Sequence, residues 1–172
     1  MTVPEKRRSS NLQKSLNLFI EQNFTQPNNL SGSVNYQDST YDSCGKTSWV
    51  DIFFINDTAG KKGELVVQFD IYTRVVGLGD DGDRYGQDAQ LLADELHDAL
   101  HVRDFQVYDF SVTPESPTLI DNAKLVIVNS NGTFREPEEV RHFPIEDGVK
   151  RITMTYRLRY IGDFSLADQY YD

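Results

Sequence analysis

The stretch GLGDDGDRYGQDAQ at residues 77–90 contains side chains that could do chemistry, with four aspartates among four glycines. Such a segment could bind calcium through carboxylate oxygens, use paired carboxylates as acid and base, or hold a phosphate on a glycine-rich turn. A calcium-binding EF-hand loop that begins at Asp81 would need ligands where Tyr85 and Leu92 stand. The aspartates would repel a phosphate, and no Lys-Ser/Thr pair follows them. The spacing of the aspartates still allows opportunistic binding of a divalent ion, but no other metal role.

An acidic turn between a strand and a helix is the interpretation that remains for this stretch. The aspartates lie just before the helix, where free amide protons favour negative charge, and the glycines permit a sharp reversal of the backbone. Asp80, Asp81 and Asp83 repel one another, and few apolar side chains anchor the segment. We therefore expect residues 77–87 to form a mobile, solvent-facing loop.

Two histidines and one cysteine are the other candidates for chemistry. His97 and His101 are four residues apart, a spacing at which two imidazoles share a helix face and can bind a metal. Because His101 falls at the helix end, we favour a solvated face whose histidines are stabilised by the helix dipole. Cys44 is the only cysteine and has no local base, so neither a disulfide nor a thiol nucleophile is expected. We predict no catalytic residue, no metal site and no cofactor.

Composition excludes several classes of protein. The 172 residues suffice for one domain, which we place at 1–172, with a core over about 10–162, a flexible segment at 1–9 and a tail at 163–172. The net charge of −10 argues against tight binding of nucleic acid, which needs clustered Lys and Arg. No apolar run reaches the roughly 20 residues of a membrane span or follows the basic N-terminus as a signal peptide would. We expect a soluble protein kept inside the cell until assembly.

Two segments have the period of an amphipathic helix. In the first, Ser10 and Gln13 fit a capping box, and an apolar stripe follows before Pro27 ends the helix. The stripe consists of Leu12, Leu16, Phe19, Ile20 and Phe24. The second helix covers residues 87–100, with aspartates and Glu95 on its outer face. Its inner face consists of Ala89, Leu92, Ala93, Leu96, Ala99 and Leu100.

Alternating apolar residues predict five strands, at 48–56, 64–76, 105–110, 123–129 and 150–162, and Asn131-Gly132 marks a hairpin turn. The second strand is long enough to protrude beyond its own domain. Two helices on one face of a mostly antiparallel sheet make an α+β domain. The predicted core residues are Trp49, Phe53, Val67, Phe69, Ile71, Leu92, Leu96, Ile152, Met154 and Leu158.

The order of these elements resembles the tail terminator, or tail completion, proteins of long-tailed bacteriophages. The resemblance lies in WVDIFFIN, in GELVVQFDIYTRVVGLGDDGDRYGQDAQLLADELHDAL and in RITMTYRLRYIG, over roughly residues 10–162. Gly63, Val67 and Tyr72 fit the strand of that pattern, and Ala93, Asp94 and neighbouring leucines fit its helix. Residues 25–48 and 112–150 and the tail after Gly162 depart from the pattern.

The resemblance implies a virion subunit that forms a homo-oligomeric ring, a hexamer, which caps the tail tube and joins it to the head connector or neck protein. DNA would pass through the acidic lumen without specific binding. Asp80, Asp81, Asp83 and Arg84 would then line the lumen or contact a neighbouring protein. Strand 64–75, with Arg74, and the strand that carries Arg157 and Arg159 would offer edges for pairing between subunits.

Three alternatives stay open at this point. Another head-tail connector, neck or head completion protein would have the same size and ring symmetry. An acidic mimic of DNA would need rows of carboxylates, which the 17 basic residues interrupt. A small metal-dependent hydrolase would use residues 80–88 with His97.

Overall fold

Helices and one sheet make up most of the chain in the computed structural model, which describes residues 5–36, 45–57, 63–75, 87–101, 104–110, 113–128 and 135–161. The elements are α1 (Glu5–Ile20, continued by a π-helical turn at Glu21–Thr25), β1 (Val34–Asn35), β2 (Ser48–Asp57), β3 (Glu64–Arg74), α2 (Gln87–His101), β4 (Phe105–Asp109), β5 (Thr118–Val128), β6 (Glu139–His142) and β7 (Val149–Ile161). Within these ranges no helix combines the length and the apolar character needed to cross a membrane.

In the described residues, seven strands form a single sheet in the order β1-β2-β3-β7-β5-β4, and β6 also pairs with β7. β1 runs parallel to β2, whereas the other described pairs are antiparallel. Side chains of both α1 and α2 join one hydrophobic core with alternate residues of the strands. The α+β class, with two helices on one face of a mostly antiparallel sheet, is confirmed.

The core contains the predicted alternate residues of β3 and β7 but not Phe53. Val50 and Ile52 of β2 lie opposite Ile71 and Phe69 of β3, and all four are buried. Because successive side chains of a strand point to opposite faces, Phe53 faces away from the helices and is 40% exposed. The prediction that Phe53 belongs to the core is therefore wrong. The other predicted core residues are buried or packed against the core, except that Trp49 is buried on the opposite face.

α1 begins earlier than the capping box indicates. The helix starts at Glu5, so Ser10 lies inside it and the predicted cap is wrong. The residues before Ser10 are good helix formers, and the acidic Glu5 suits a helix N-terminus. The predicted apolar stripe is confirmed, and it extends through the π-helical turn to Phe24, which is fully buried.

Polar side chains also join α1 to β4. The amide of Tyr108 donates to Ser15 Oγ at 2.9 Å, and that hydroxyl donates to the carbonyl of Asn11 at 2.7 Å. The side chain of Asn11 donates to Asp109 at 3.1 Å and accepts from the amide of Phe110 at 3.1 Å. These contacts hold the helix in register with the edge strand, and the helical period does not reveal them.

Three strand predictions need correction. β3 does not protrude, because it pairs with β2 over Leu65–Thr73 and with β7 over its whole length. β5 begins at Thr118, five residues before the predicted start. β6 was not predicted at all, since its four residues are exposed and carry no apolar alternation. The predicted turn at Asn131-Gly132 lies outside the described residues.

Candidate assembly surface

The face of the sheet opposite the helices, here called the outer face, carries most of the described polar side chains of the central strands. β2 contributes Trp49, Asp51 and Phe53, and the register sets them opposite Tyr72, Asp70 and Gln68 of β3. β7 contributes Arg151, Thr153 and Thr155, which lie opposite Tyr72, Asp70 and Gln68 of β3, and then Arg157 and Arg159, which lie opposite Val66 and Glu64. The outer face is therefore a continuous surface across three strands, and the helices leave it uncovered.

A buried carboxylate lies at the centre of the outer face. Asp70 is only 3% exposed and accepts a hydrogen bond from Thr153 Oγ1 at 2.7 Å. Arg151 Nη2 lies 2.7 Å from the other carboxylate oxygen and forms an ion pair with it. Gln68 and Tyr72 donate further hydrogen bonds at 2.8 and 3.3 Å. Four donors thus compensate the desolvation of this charge.

Asp51 lies directly across from Asp70 and is less well compensated. Its Oδ1 is buried and has no hydrogen-bond partner among the described residues. Burial raises the pKa of Asp51, and the charge of Asp70 adds to this, while a hydrogen bond with Asn35 and the charge of Arg151 lower it. The same environment raises the pKa of Tyr72 to about 12, first by burial and then through the charge of Asp70. Negative charge is therefore unfavourable at Asp51.

Stacked rings and cations extend the outer face towards the start of β2. The rings of Trp49 and Tyr72 stack at 5.0 Å and 9°. Arg74 lies over Trp49 at 5.2 Å, and its Nε donates to the carbonyl of Lys46 at 2.8 Å. Arg151 lies 4.5 Å from the ring centroid of Phe143. The predicted interface residue Arg74 thus lies on the outer face and already has partners within the chain.

Arg157 and Arg159 lie at the other end of the outer face. Arg157 contacts Glu64 at 3.3 Å and Glu138 at 3.0 Å, and Arg159 contacts Glu64 at 3.0 Å. Their strand β7 pairs with β3 on one side and with β5 and β6 on the other. Neither β3 nor β7 is an edge strand, so backbone pairing between subunits through these strands is excluded. A role for the three arginines in a subunit interface stays a prediction about side chains.

The edge of the sheet at β2 offers exposed apolar area. β1 pairs with β2 only at Val50 and Asp51, and no other described strand pairs with β2 on that side. Beyond this point Phe53 is 40% exposed and Ile55 is 55% exposed. An edge strand with apolar side chains is a common place for another chain to bind.

The predicted histidine pair meets a carboxylate near the C-terminal end of α2. Ligand atoms of His97, His101 and Glu136 all lie within 4.8 Å of one another. His97 Nε2 is 3.9 Å from a Glu136 oxygen, and its Nδ1 is 3.1 Å from the hydroxyl of Tyr156. The distance along the sequence between Glu136 and the histidines hides this cluster from a search for local motifs.

The acidic loop residues Asp80, Asp81, Asp83 and Arg84 lie outside the described residues, as does Cys44. Their predicted roles stay predictions.

Comparison with known proteins places the fold. No protein-family model and no curated protein matches the chain. A chain of the native gene transfer agent (GTA) virion particle superposes with a TM-score of 0.52 at 14% sequence identity. The match covers 90% of this chain and 98% of the other. The two chains share a fold.

Proposed function

We propose that the protein is a structural subunit of a phage-like virion, and that it acts there as the tail terminator. The observation that supports this most is the shared fold with a gene transfer agent virion chain over nearly the full length of both. The element order and the residues at 63–72 and 89–96, which resemble tail terminator proteins, favour that role within the virion.

The proposed assembly is a hexameric ring that caps the tail tube and meets the head connector. Head-to-tail contacts that close on themselves produce such a ring. The β2 edge supplies a suitable surface, because Phe53 and Ile55 would become buried against the next subunit. Six copies would carry six times the net charge of −10, so DNA would find few cationic anchors in the lumen.

Electron microscopy of the protein mixed with a phage tail tube protein tests the role. A terminator is expected to appear as a ring at one end of each tube and to stop further growth. Rings that bind the connector and leave tube growth unchanged would instead indicate a neck or head completion protein.

Introducing a carboxylate at the proposed subunit contact, with the same substitution elsewhere as a control, tests this surface. Phe53→Asp is expected to abolish ring formation, because a carboxylate would be buried between subunits. Leu119→Asp is the control, since Leu119 is similarly exposed at 43% but lies on β5, away from β2 in the sheet order. Rings formed equally well by both variants would contradict a contact at Phe53.

A further inference from the structure

We propose that His97, His101 and Glu136 form a binding site for a divalent transition-metal ion, zinc in the first place. This proposal is independent of the proposed virion role and revises the expectation of no metal site. Two imidazoles and one carboxylate are ligands that zinc accepts, and three protein ligands leave a fourth position for water. The two histidines come from successive turns of α2, with ring centroids 5.3 Å apart.

The contact with Tyr156 orients His97 for this role. Tyr156 is fully buried, so its hydroxyl has a fixed position 3.1 Å from Nδ1 of His97. When Nδ1–H of His97 donates to that hydroxyl, the lone pair of Nε2 faces Glu136. Histidines that bind metals are commonly held by such a hydrogen bond from the other ring nitrogen.

The backbone around Glu136 is held in place without an ion. The neighbouring Arg135 donates through Nη1 to the carbonyl of His101 at 2.8 Å and through Nη2 to Asp104 at 3.3 Å. Its amide donates to the carbonyl of Ile127 at 3.2 Å. These bonds fix the residue before Glu136 against the last turn of α2, so the third ligand is positioned beside the two histidines.

The distances between the proposed ligand atoms fit a site whose side chains move slightly closer together when the ion binds. His97 and Glu136, at 3.9 Å, are too far apart for a hydrogen bond. Ligand atoms around tetrahedral zinc are about 3.3 Å apart, given bonds of about 2.0–2.1 Å. The side chain of Glu136 is 45% exposed and His101 is also exposed, so both can rotate inwards. The bound ion would join α2 to the segment between β5 and β6.

Titration of the tag-free, chelator-treated full chain with Zn²⁺ alone tests the proposal by calorimetry. We expect one ion per chain and a rise in the melting temperature on binding. His101→Ala is expected to weaken the affinity at least about tenfold, whereas His142→Ala, at the exposed third histidine on β6, leaves it unchanged. No binding, or an equal loss in both variants, would overturn the proposal.

A substitution at Tyr156 tests the site while all three proposed metal ligands stay in place. Tyr156→Phe keeps the buried ring but removes the hydroxyl that orients His97, so the zinc affinity is expected to fall about 10–100-fold.

With Co²⁺ as the probe, the parent chain should show the visible absorption of a four-coordinate ion, and Glu136→Gln should reduce it. A cobalt spectrum identical to that of the free hydrated ion would overturn the site.

Discussion

Asp51 and Asp70 occupy facing positions on β2 and β3, but their surroundings differ. Asp70 has four donors, whereas one oxygen of Asp51 has no hydrogen-bond partner among the described residues. One of these neighbouring carboxylates is well hydrogen-bonded and the other is not. Protonation of Asp51 is therefore expected to change the stability of the fold.

Asp51→Asn is expected to raise the melting temperature at pH 7. Because burial raises the pKa of Asp51 in the folded protein, its contribution to stability is complete below the ordinary pKa of about 3.9 and is lost as the pH rises through the folded value. The gain from the substitution should therefore shrink as the pH falls towards that value. Thermal melts at several pH values measure it, with the exposed Asp121→Asn as the control. A gain that grows in acid would contradict this assignment.

Thr153→Val is expected to destabilise the fold by about 1–3 kcal/mol, because it removes a donor from the buried carboxylate of Asp70 without changing the shape of the side chain. Urea unfolding measures the loss. Thr155→Val on the same strand is the control, since Thr155 is only half-buried, and should stay within about 0.5 kcal/mol. Equal losses in the two variants would show that the Asp70 contacts do not matter for stability.

The sequence alone predicts little of this residue-scale detail. The alternation of β3 correctly separates the residues that face the core from those that face outwards. It predicts that Asp70 is partly exposed to solvent, whereas Asp70 is buried. The donors Arg151 and Thr153 lie 81 and 83 residues away, so only the folded register brings them to Asp70. The cluster of His97 with Glu136 is missed for the same reason.

At the scale of elements, long periodic segments are predictable and short exposed ones are not. The long periodic apolar patterns of β3, β7 and α2 predict each element with nearly its observed bounds. β6 is exposed and is held by pairing with β7, which its own residues do not encode. One signal could have found it: Asp147-Gly148, whose positive φ angles of 49° and 72° form the tight turn that joins the hairpin.

α2 supplies the sharpest test at this scale. Leu96→Ala is expected to cost about 2–5 kcal/mol, because Leu96 is fully buried against the sheet. Leu91→Ala, a leucine on the same helix that is 61% exposed, should stay within about 0.5 kcal/mol. Chemical denaturation of both variants measures the difference. A neutral Leu96→Ala would contradict the packing of α2 on the sheet.

At the scale of the whole molecule, the fold exposes two surfaces that the proposed assembly could use. Across β3 and β7 the outer face is polar and its described charges are largely paired within the chain, whereas along the β2 edge Phe53 and Ile55 are exposed. Apolar contacts at the edge would drive association, and the paired charges of the outer face would add little to it. In the proposed assembly, the net charge of −10 on each chain would oppose association until such contacts form.

Native mass spectrometry of the protein, alone and with a phage tail tube protein, tests the proposed terminator role most directly. We predict a closed species of six copies that binds to the end of the tube. Phe53→Asp is predicted to leave the chain folded but monomeric. A protein that stays monomeric in both samples and never associates with the tube would contradict the proposal.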